Sequence, residues 1–442
     1  MDAGVTDFER LEGLGPDVVS RRSSEALERL LRHAYDKVPH YREILAAQGV
    51  TSSSSLHAED LSRFPVLSRE TVRNGFESGR ILAAGVPRRH RVTTRTTGST
   101  GIPLRFFGDR RSGHPRGRGW RLLDRWAGIE PGHRRVMLQV PRPRPAWSGN
   151  QPLRSLRKMI FFRQPPDLVS IYRLTSDGVP GIVELLGEKA DPYSIYGTSS
   201  AIHFIATRAL AAGITLPRAP RAVIGTSDTF SATQRDVASA FMGCPAYSRY
   251  GTYEVGGGVA QTCPDNPSRH HVISDVVISE VVDGDLQPVA PGDRGRLLLT
   301  DLTNFVMPFI RYEIGDMAFA AEDCGCGRPW PAIGEIVGRT ADRIVLDNGE
   351  HRPAYELRAA LFYYATGLSK DILEYQFVQY GPGELEMRFV PRARLKSGRV
   401  EQIQDVLSSA LQGRAQVAVV PVERIDPAES GKHSLVIQKH RN

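Results

Sequence analysis

The spacing of apolar residues changes along the chain, and each change predicts a different kind of structure. Between residues 24 and 35 the leucines fall three and four positions apart, which predicts an amphipathic helix that ends before Pro39 and a short second helix at 41–48. Farther on, short apolar runs alternate with helical stretches. This alternation predicts a mainly parallel sheet with helices on its faces and ligands at the carboxyl ends of its strands. The strands are predicted at Val136–Val140, Tyr193–Tyr196 and Ala222–Ile224, and the helices at 200–212 and 231–242.

After residue 270 the pattern becomes that of β-structure, with predicted strands at Val276–Val282 and Gly295–Leu299. The last hundred residues predict a small domain with strands at 373–380, 385–390 and 416–422 and a helix at 400–411. The predicted fold class is therefore α/β. A large N-terminal domain, residues 1–338, has mainly parallel sheets flanked by helices plus a β-rich subdomain, and a small α+β domain follows at 339–442.

Composition narrows the class of protein without naming a function. The chain has 442 residues, 40% of them hydrophobic, which is enough for two or three globular domains. The N-terminus lacks a signal pattern and no apolar run reaches the ~18 residues of a membrane span, so we expect a cytoplasmic protein with no membrane partner. Four cysteines are too few for a disulfide framework. The formal charge of +8 suits a nucleic acid or a small anionic ligand equally well.

The segment 93–103 combines six serine or threonine side chains with two glycines. Glycine lets the backbone approach a ligand, and hydroxyl groups add donors beside the backbone N–H groups, a combination that suits phosphate oxygens. The P-loop pattern is absent, and a plain turn is the alternative interpretation. The candidate phosphate-binding residues are Thr96, Thr97, Gly98, Ser99, Thr100 and Gly101.

Two other groups of residues each allow two interpretations. The arginine-rich segment 110–125 is either a nucleic-acid patch or a solvated helix face beside an anionic ligand site, and we favour the second. Cys324 and Cys326 lie one residue apart, so both thiolates can face one ion. With Cys263 and a histidine of the 270–271 pair they would form a closed tetrahedral zinc site of the structural type. Buried, reduced cysteines are the alternative.

Five stretches, in this order, resemble the motifs of the adenylate-forming superfamily of acyl-CoA synthetases, and within it the phenylacetate-CoA ligase/CapK-like branch. They are Thr96–Pro103, Tyr250–Glu254, Asn304–Asp316, Gly338–Glu356 and Ser430–Lys432. The segments 33–41 and 64–69 also resemble that branch, so the resemblance spans nearly the whole chain.

The resemblance implies a role for each stretch. The hydroxyl-rich loop would hold the β- and γ-phosphates of ATP, Glu254 would bind Mg²⁺, and Asp316 would accept hydrogen bonds from the ribose. Arg339 would help to hold ribose or phosphate, and Asp228 would lie near the adenine edge. Lys432 would be the catalytic lysine of a mobile C-terminal domain, its ammonium directed at the α-phosphate and the carboxylate. An aromatic ring of the motif before Glu254 would stack on adenine, and the nucleotide-binding residues there would be Tyr250, Gly251, Thr252 and Tyr253.

The implied activity is ATP- and Mg²⁺-dependent activation of a carboxylic acid as acyl-AMP, with release of pyrophosphate, and transfer of the acyl group to CoA. An aryl acid is favoured, and Gly256–Gly258 are expected to leave room for it. The resemblance selects His271 as the histidine ligand of the zinc. No nucleic acid is expected as a partner, and a homodimer is one option.

Three departures from the family pattern keep alternatives open. Ile102 stands where the loop often has lysine, Tyr253 replaces a small hydroxyl residue, and Ala341 stands at the usual acidic hinge position. They leave room for a ligase whose acceptor is an amine, a carrier protein or another nucleophile. A non-catalytic basic binding protein is the second alternative.

Overall fold

The computed structural model describes the chain in segments and divides it into two compact units. The described residues are 13–95, 104–139, 167–170, 178–188, 192–227, 230–339, 343–354, 356–357, 360–361, 368, 371–391, 395–423, 425 and 436–439. The first unit comprises Met1–Thr97, Pro103–Ile129 and Tyr247–Val337, and the second comprises Gly98–Ile102, Glu130–Ala246 and Gly338–Asn442.

Helices and strands within the described segments are numbered here in chain order. The α-helices are α1 (Pro16–Lys37), α2 (Pro39–Ala47), α3 (Arg69–Ser78), α4 (Gly113–Trp126), α5 (Val179–Gly187), α6 (Ser199–Ala211), α7 (Ala232–Met242) and α8 (Arg399–Ala410). Short 3₁₀ turns lie at Ser53–Ser55, Ala58–Arg63, Arg88–His90 and Arg110–Ser112. The strands are β1 (Arg91–Arg95), β2 (Arg105–Asp109), β3 (Arg134–Gln139), β4 (Asp167–Ser170), β5 (Tyr193–Thr198), β6 (Val223–Thr226), β7 (Ala246–Thr252), β8 (Gly257–Thr262), β9 (His270–Val272), β10 (Val277–Val282), β11 (Arg294–Asp301), β12 (Tyr312–Phe319), β13 (Ala332–Ile333), β14 (Ile336–Arg339), β15 (Arg343–Val345), β16 (His351–Pro353), β17 (Ile372–Gly381), β18 (Glu384–Pro391), β19 (Gln416–Pro421) and β20 (Val436–Gln438).

The first unit begins with the predicted amphipathic helix, which is longer than its apolar pattern indicates. Helix α1 starts at Pro16, because proline is tolerated in the first turn, where its missing N–H has no partner to lose. It ends before Val38, whose extended backbone (φ −112°, ψ 110°) follows from the steric demand of the next residue, Pro39. The buried face of α1 packs into a hydrophobic cluster with Tyr41, Phe64 and Ile310.

Antiparallel strand pairs complete the first unit and confirm its predicted β-rich part. One sheet has the order β10–β11–β12–β14, and in a larger sheet β13, β9, β8 and β7 are neighbours in that order. Helix α4 buries Leu122, Leu123 and Trp126 in one cluster with Val259 and Val272. The arginine-rich segment is therefore more than a solvated helix face, because one side of α4 belongs to the core.

The second unit contains the predicted parallel strands. Strands β4, β3, β5 and β6 are neighbours in that order, and each pair is parallel. Ile195 of β5 lies opposite Val136 and Val223 of the flanking strands. Helices α5, α6 and α7 share one hydrophobic cluster with this sheet. The predicted α/β fold class is confirmed, since strands and helices alternate here as the apolar runs indicated.

The C-terminal residues have a hydrophobic cluster of their own. The sheet has the order β19–β18–β17–β20, with β17 and β18 antiparallel and the two outer strands parallel to their neighbours. Helix α8 contributes Ile403 and Leu407, which pack with Phe377, Leu385 and Phe389. The domain boundary between residues 338 and 339 stays a prediction. No helix in the described segments has both the length and the apolar character needed to cross a bilayer.

Candidate active site and metal cluster

The hairpin of β7 and β8 carries the Tyr250–Glu254 stretch. The strands pair antiparallel, with Thr252 opposite Gly257 and a register shift just before Gly251. A Cβ added at Gly251 would lie 2.2 Å from the carbonyl oxygen of Gly257, so no other residue fits without moving the strands. Close backbone contact at this point therefore fixes the positions of the side chains on either side of Gly251.

The three glycines after the motif make room for protein side chains. A Cβ at Gly256 would lie 2.1 Å from the guanidinium carbon of Arg116. A Cβ at Gly258 would lie 3.0 Å from Arg249 and 3.1 Å from Trp120. Arginine and tryptophan side chains thus fill the space that a side chain would take at these two positions, and the expected room for the acyl group beside the three glycines stays a prediction.

Glu254 is a buried carboxylate, with 5% of its surface exposed. The hydroxyl of Thr252 donates to its Oε2 at 2.9 Å, and the hydroxyl of Tyr312 donates to its Oε1 at 3.5 Å. The backbone N–H of Glu254 donates in return to the Thr252 hydroxyl at 3.1 Å. Within the described segments the carboxylate has hydroxyl partners and no ion pair. Burying a charge without a counter-charge is costly, so the position suits a bound cation.

Asp316 joins two stretches that the sequence places 66 residues apart. It lies on β12, and its Oδ2 accepts a hydrogen bond from the hydroxyl of Tyr250 at 2.7 Å. Tyr253 is an exposed residue, with 49% of its surface accessible to solvent. The structure therefore joins Tyr250 to Asp316 and places Glu254 on the same hairpin as Tyr250, while Tyr253 is the exposed residue of the stretch.

A buried polar cluster lies next to Tyr250 and was not predicted from the sequence. Arg249 donates to Asp124 of α4 at 2.8 Å, and the two side chains are 1% and 2% exposed. It also donates to the side-chain carbonyl of Gln261 at 2.8 and 2.6 Å. Its guanidinium carbon lies 4.9 Å from the ring centroid of Trp120, a cation–π distance. The only sequence signal was the spacing of Trp120 and Asp124, which places them on one face of α4.

Several predicted site residues lie outside the described segments. These are Thr96–Gly101, Asp228 and Lys432. The loop that contains Thr96–Gly101 connects β1 and β2, which pair antiparallel with Thr93 opposite Phe107. Arg339 is the last residue of β14, and its side chain is not among the described ones.

The four predicted zinc ligands are brought together. One ligand atom from each lies within 4.8 Å of all the others, and the group contains Cys263, His271, Cys324 and Cys326. Nδ1 of His271 donates to the carbonyl oxygen of Trp330 at 2.8 Å, so Nε2 carries the lone pair. That nitrogen lies 3.2 Å from the sulfur of Cys326. Three sulfurs and one oriented imidazole are the donor set of a closed structural zinc site.

The electrostatics of the cluster also fit a cation. Burial lowers the pKa of His271, which keeps the imidazole neutral as a ligand must be. Burial and the neighbouring thiols of Cys263 and Cys326 raise the pKa of Cys324. Burial also acts to raise the pKa of Cys326, but hydrogen bonds from the backbone and side chain of Arg328 outweigh it and lower the pKa. Arg328 is thus a positive charge directly beside the sulfurs.

Comparison with known proteins was made in sequence and in structure. The phenylacetate-coenzyme A ligase of Thermus thermophilus is 26% identical over 362 residues, covering 76% of this chain and 74% of that protein. The phenylacetate-coenzyme A ligase of Escherichia coli (strain K12) is 24% identical over 370 residues, covering 77% and 76%. No protein-family model matches the chain.

The solved structures of 2-hydroxyisobutyryl-CoA ligase have a similar fold. In the postadenylation state, in complex with R3-HIB-AMP, that enzyme has a TM-score of 0.63 at 19% identity, covering 97% of this chain and 91% of that one. In the thioesterification state, in complex with 2-HIB-AMP and CoA, the TM-score is 0.63 at 19% identity, covering 98% and 91%. The chain is thus similar in sequence to phenylacetate-coenzyme A ligases and in fold to a CoA ligase, in agreement with the resemblance that its motifs indicate.

Proposed function

We propose that this protein is an ATP- and Mg²⁺-dependent ligase that activates a carboxylic acid as its adenylate and transfers the acyl group to CoA. The observation that carries the proposal is the buried Glu254, whose described partners are two hydroxyl groups. Tyr250, four residues before it on the same hairpin, forms a hydrogen bond with Asp316 of β12. A carboxylate held for a cation, next to a tyrosine and an aspartate, is what a magnesium–nucleotide site requires.

Glu254 would hold the magnesium ion. Thr252 and Tyr312 each donate to one carboxylate oxygen, so the side chain is held in one orientation before a ligand arrives. Mg²⁺ prefers such oxygen ligands together with phosphates, and when bound it neutralises charge on the phosphates. The chain's own contribution is to keep this carboxylate oriented and shielded from water.

Asp316 and Tyr250 would bind the nucleoside. The Tyr250 hydroxyl fixes one carboxylate oxygen of Asp316, which orients that group toward ribose hydroxyl donors. The hydroxyl-rich loop Thr96–Gly101 would hold the phosphates, and Asp228 and Arg339 would contact adenine and ribose. These assignments rest on the resemblance of the motifs.

The reaction would proceed in two steps. In the first, a carboxylate oxygen of the acid attacks the α-phosphorus of ATP, the bond to the β-phosphate oxygen breaks, and pyrophosphate leaves. Lys432 would stabilise the developing charge from the C-terminal domain at 339–442. In the second, the CoA thiolate attacks the acyl carbonyl and AMP leaves with the bonding electrons. Movement of that domain between the steps would bring different residues to the same adenylate.

The acid is proposed to be an aryl acid, because the curated relatives are named for phenylacetate. The 2-hydroxyisobutyryl-CoA ligase with the same fold is named for an aliphatic hydroxy acid, so both classes belong in the test. Pyrophosphate release should be measured over aryl and alkyl acids with ATP and Mg²⁺, followed by thioester formation with CoA. If pyrophosphate is released but an acyl product forms only when an amine or a carrier protein is supplied, the alternative acceptor is favoured. No release with any acid, together with salt-sensitive nucleic-acid binding, would favour a basic binding protein.

Replacement of Glu254 by glutamine tests the site itself. The neutral amide keeps the shape and loses the charge, so we expect a higher Mg²⁺ requirement and a loss of roughly 10²-fold or more in the rate of pyrophosphate release. Glu313→Gln is a matched control, since Glu313 lies on β12 and forms a half-exposed ion pair with Arg296 at 3.0 Å. An Mg²⁺ dependence equal in both variants would remove Glu254 from the active site.

We also propose that Cys263, His271, Cys324 and Cys326 hold one structural Zn²⁺. The support is the proximity of their four ligand atoms and the orientation of the His271 ring by the Trp330 carbonyl. A zinc ion there would link His271 of β9 to Cys324 and Cys326, which lie in the segment before β13. Strand β13 itself pairs with β9, with Ala332 opposite His271. The ion would have a structural role, since all four ligands come from the protein.

A further inference from the structure

A cavity of about 480 Å³ lies between α1 and the beginning of α4 in the first unit. The segment Leu302–Phe305 forms part of its wall, and its lining includes no residue of the Tyr250–Glu254 stretch. Four of the lining side chains are arginines that come from two helices far apart in the sequence and from the turn before α4. They are Arg22, Arg29, Arg111 and Arg118.

Arg22, Arg29 and Arg111 have more donors than the described residues use. Arg22 donates to Asp275 through Nε at 2.9 Å, and Arg111 donates to Asp109 through Nε and Nη2 at 3.0 and 2.7 Å. A guanidinium has five N–H donors, so several remain on each side chain. Arg29 is exposed and has no hydrogen bond or ion pair to any residue in the described segments.

The charge at the cavity is positive. Its acidic residues are Glu25, Asp109 and Asp275, one fewer than the arginines. The Asp109 side chain is 1% exposed and is held by Arg111, and Asp275 is paired with Arg22. Glu25 remains as an exposed acid on α1. The described carboxylates therefore leave an excess of guanidinium donors that face the cavity.

The first turn of α4 adds to this field. The serine at its N-cap, Ser112, donates to the carbonyl oxygen of Asp109 at 2.6 Å and does not cap the helix. No acidic residue lies in the first turn of α4. Ser112 and Pro115 line the cavity, so the positive end of the helix dipole lies beside the arginines.

We propose that this cavity binds the phosphate group of a phosphorylated ligand, at a site separate from the Glu254 site. A phosphate dianion has enough acceptor oxygens to bridge several guanidinium groups at once, which a carboxylate lacks. A site for a free anion does not rest on the proposed function, whereas a site for CoA rests on it. Two sources have this chemistry, a free anion such as pyrophosphate and a phosphate ester such as the 3′-phosphate of CoA.

The cavity has a direct connection to the β7–β8 hairpin. Thr303 lines the cavity, and its hydroxyl accepts from Nε of Arg116 at 2.9 Å. Arg116 is paired with the fully buried Asp301, and its guanidinium fills the space next to Gly256. A ligand in the cavity would therefore contact Thr303, which forms a hydrogen bond with Arg116 next to the hairpin.

Arginine modification of the wild-type protein tests the proposal without any substitution. Phenylglyoxal reacts with exposed arginines, and mass spectrometry gives the rate at each position. Inorganic pyrophosphate should slow the modification of Arg29 about tenfold and leave Arg21 within about twofold, because Arg21 is exposed on the same helix but does not line the cavity. An unchanged modification rate at Arg29, both with pyrophosphate and with CoA, would overturn the proposal.

The same assay distinguishes the sources. If the ligand is CoA, then CoA should protect Arg29 and dephospho-CoA should not. If the ligand is a free anion, pyrophosphate alone should protect it. Arg29→Glu should weaken the binding of whichever probe protects by about tenfold or more in calorimetry, while Arg21→Glu stays within about twofold. Equal affinity of both variants for that probe would refute the assignment to this cavity.

Discussion

Removal of the charge of Asp124 should strongly destabilise the first unit. Asp124 and Arg249 are 2.8 Å apart with side chains 2% and 1% exposed, so water cannot replace either partner. Breaking a buried pair from one side costs about 3–5 kcal/mol, because the remaining charge stays buried. In Asp124→Asn the amide oxygen keeps one hydrogen bond to Arg249, and Gln261 keeps two more. We therefore expect a loss near the lower limit, about 3 kcal/mol.

Urea unfolding followed by tryptophan fluorescence measures this loss. Trp120 lies against the Arg249 guanidinium, so its emission reports on the unit that contains the pair. The matched control is Glu43→Gln, which removes the charge from an ion pair with Arg80 whose two side chains are each 55% exposed. Exposed pairs of this kind contribute at most about 1 kcal/mol.

A double variant separates the buried charge from the loss of a contact. Asp124→Leu with Arg249→Met removes both charges and keeps apolar volume, so it should be less destabilised than the sum of the two single variants. The reasoning would be refuted if Asp124→Asn and Glu43→Gln had the same free energy of unfolding within about 0.5 kcal/mol.

Three other predictions concern the catalytic lysine, the metal cluster and pH. Lys432→Ala should lower the rate of pyrophosphate release by roughly 10²–10³-fold and leave acyl transfer from supplied acyl-AMP within a few-fold, whereas equal loss in both half-reactions would contradict domain alternation. Metal analysis should find close to one zinc per chain, lost in Cys326→Ser and retained in Cys244→Ser, and wild-type protein without zinc would refute the site. Burial lowers the pKa of His33, so the folded chain keeps this ring neutral while the unfolded chain takes up a proton below about pH 6.5. The free energy of unfolding should therefore fall from pH 7 to pH 5, and less steeply in His33→Gln; an identical slope in that variant would exclude His33 as a cause.

Much of the fold could be predicted because its signals are local. The helix and strand periods indicated the parallel strands of the second unit and the antiparallel strands near Val277–Val282, with bounds that differ by at most two residues from those observed. The exception at the N-terminus is α1, which begins eight residues before the predicted helix. Its first turns carry few apolar residues, and a proline at the first position gave no apolar signal to extend the prediction.

The residues that support the candidate site could not be predicted, because their contacts are distant in sequence. Asp124 and Arg249 are 125 residues apart, and Tyr312 reaches Glu254 over 58 residues. No periodicity connects such positions, and only the fold brings them together. The zinc ligands could be proposed because cysteine and histidine are rare and their spacing carries chemical information, whereas arginine and aspartate are common on any surface.

The contact between Gly251 and Gly257 limits how this protein can diverge. A residue with any side chain at 251 would push β7 and β8 apart, and so displace Tyr250 and Glu254 together. Position 251 should therefore remain glycine in variants of this protein, whatever acid or acceptor they use. Change of specificity has to come from positions that can vary without opening the hairpin, and the half-exposed Tyr253 is one candidate. A library that aims to alter the reaction should hold the glycine constant and vary its neighbour two residues on.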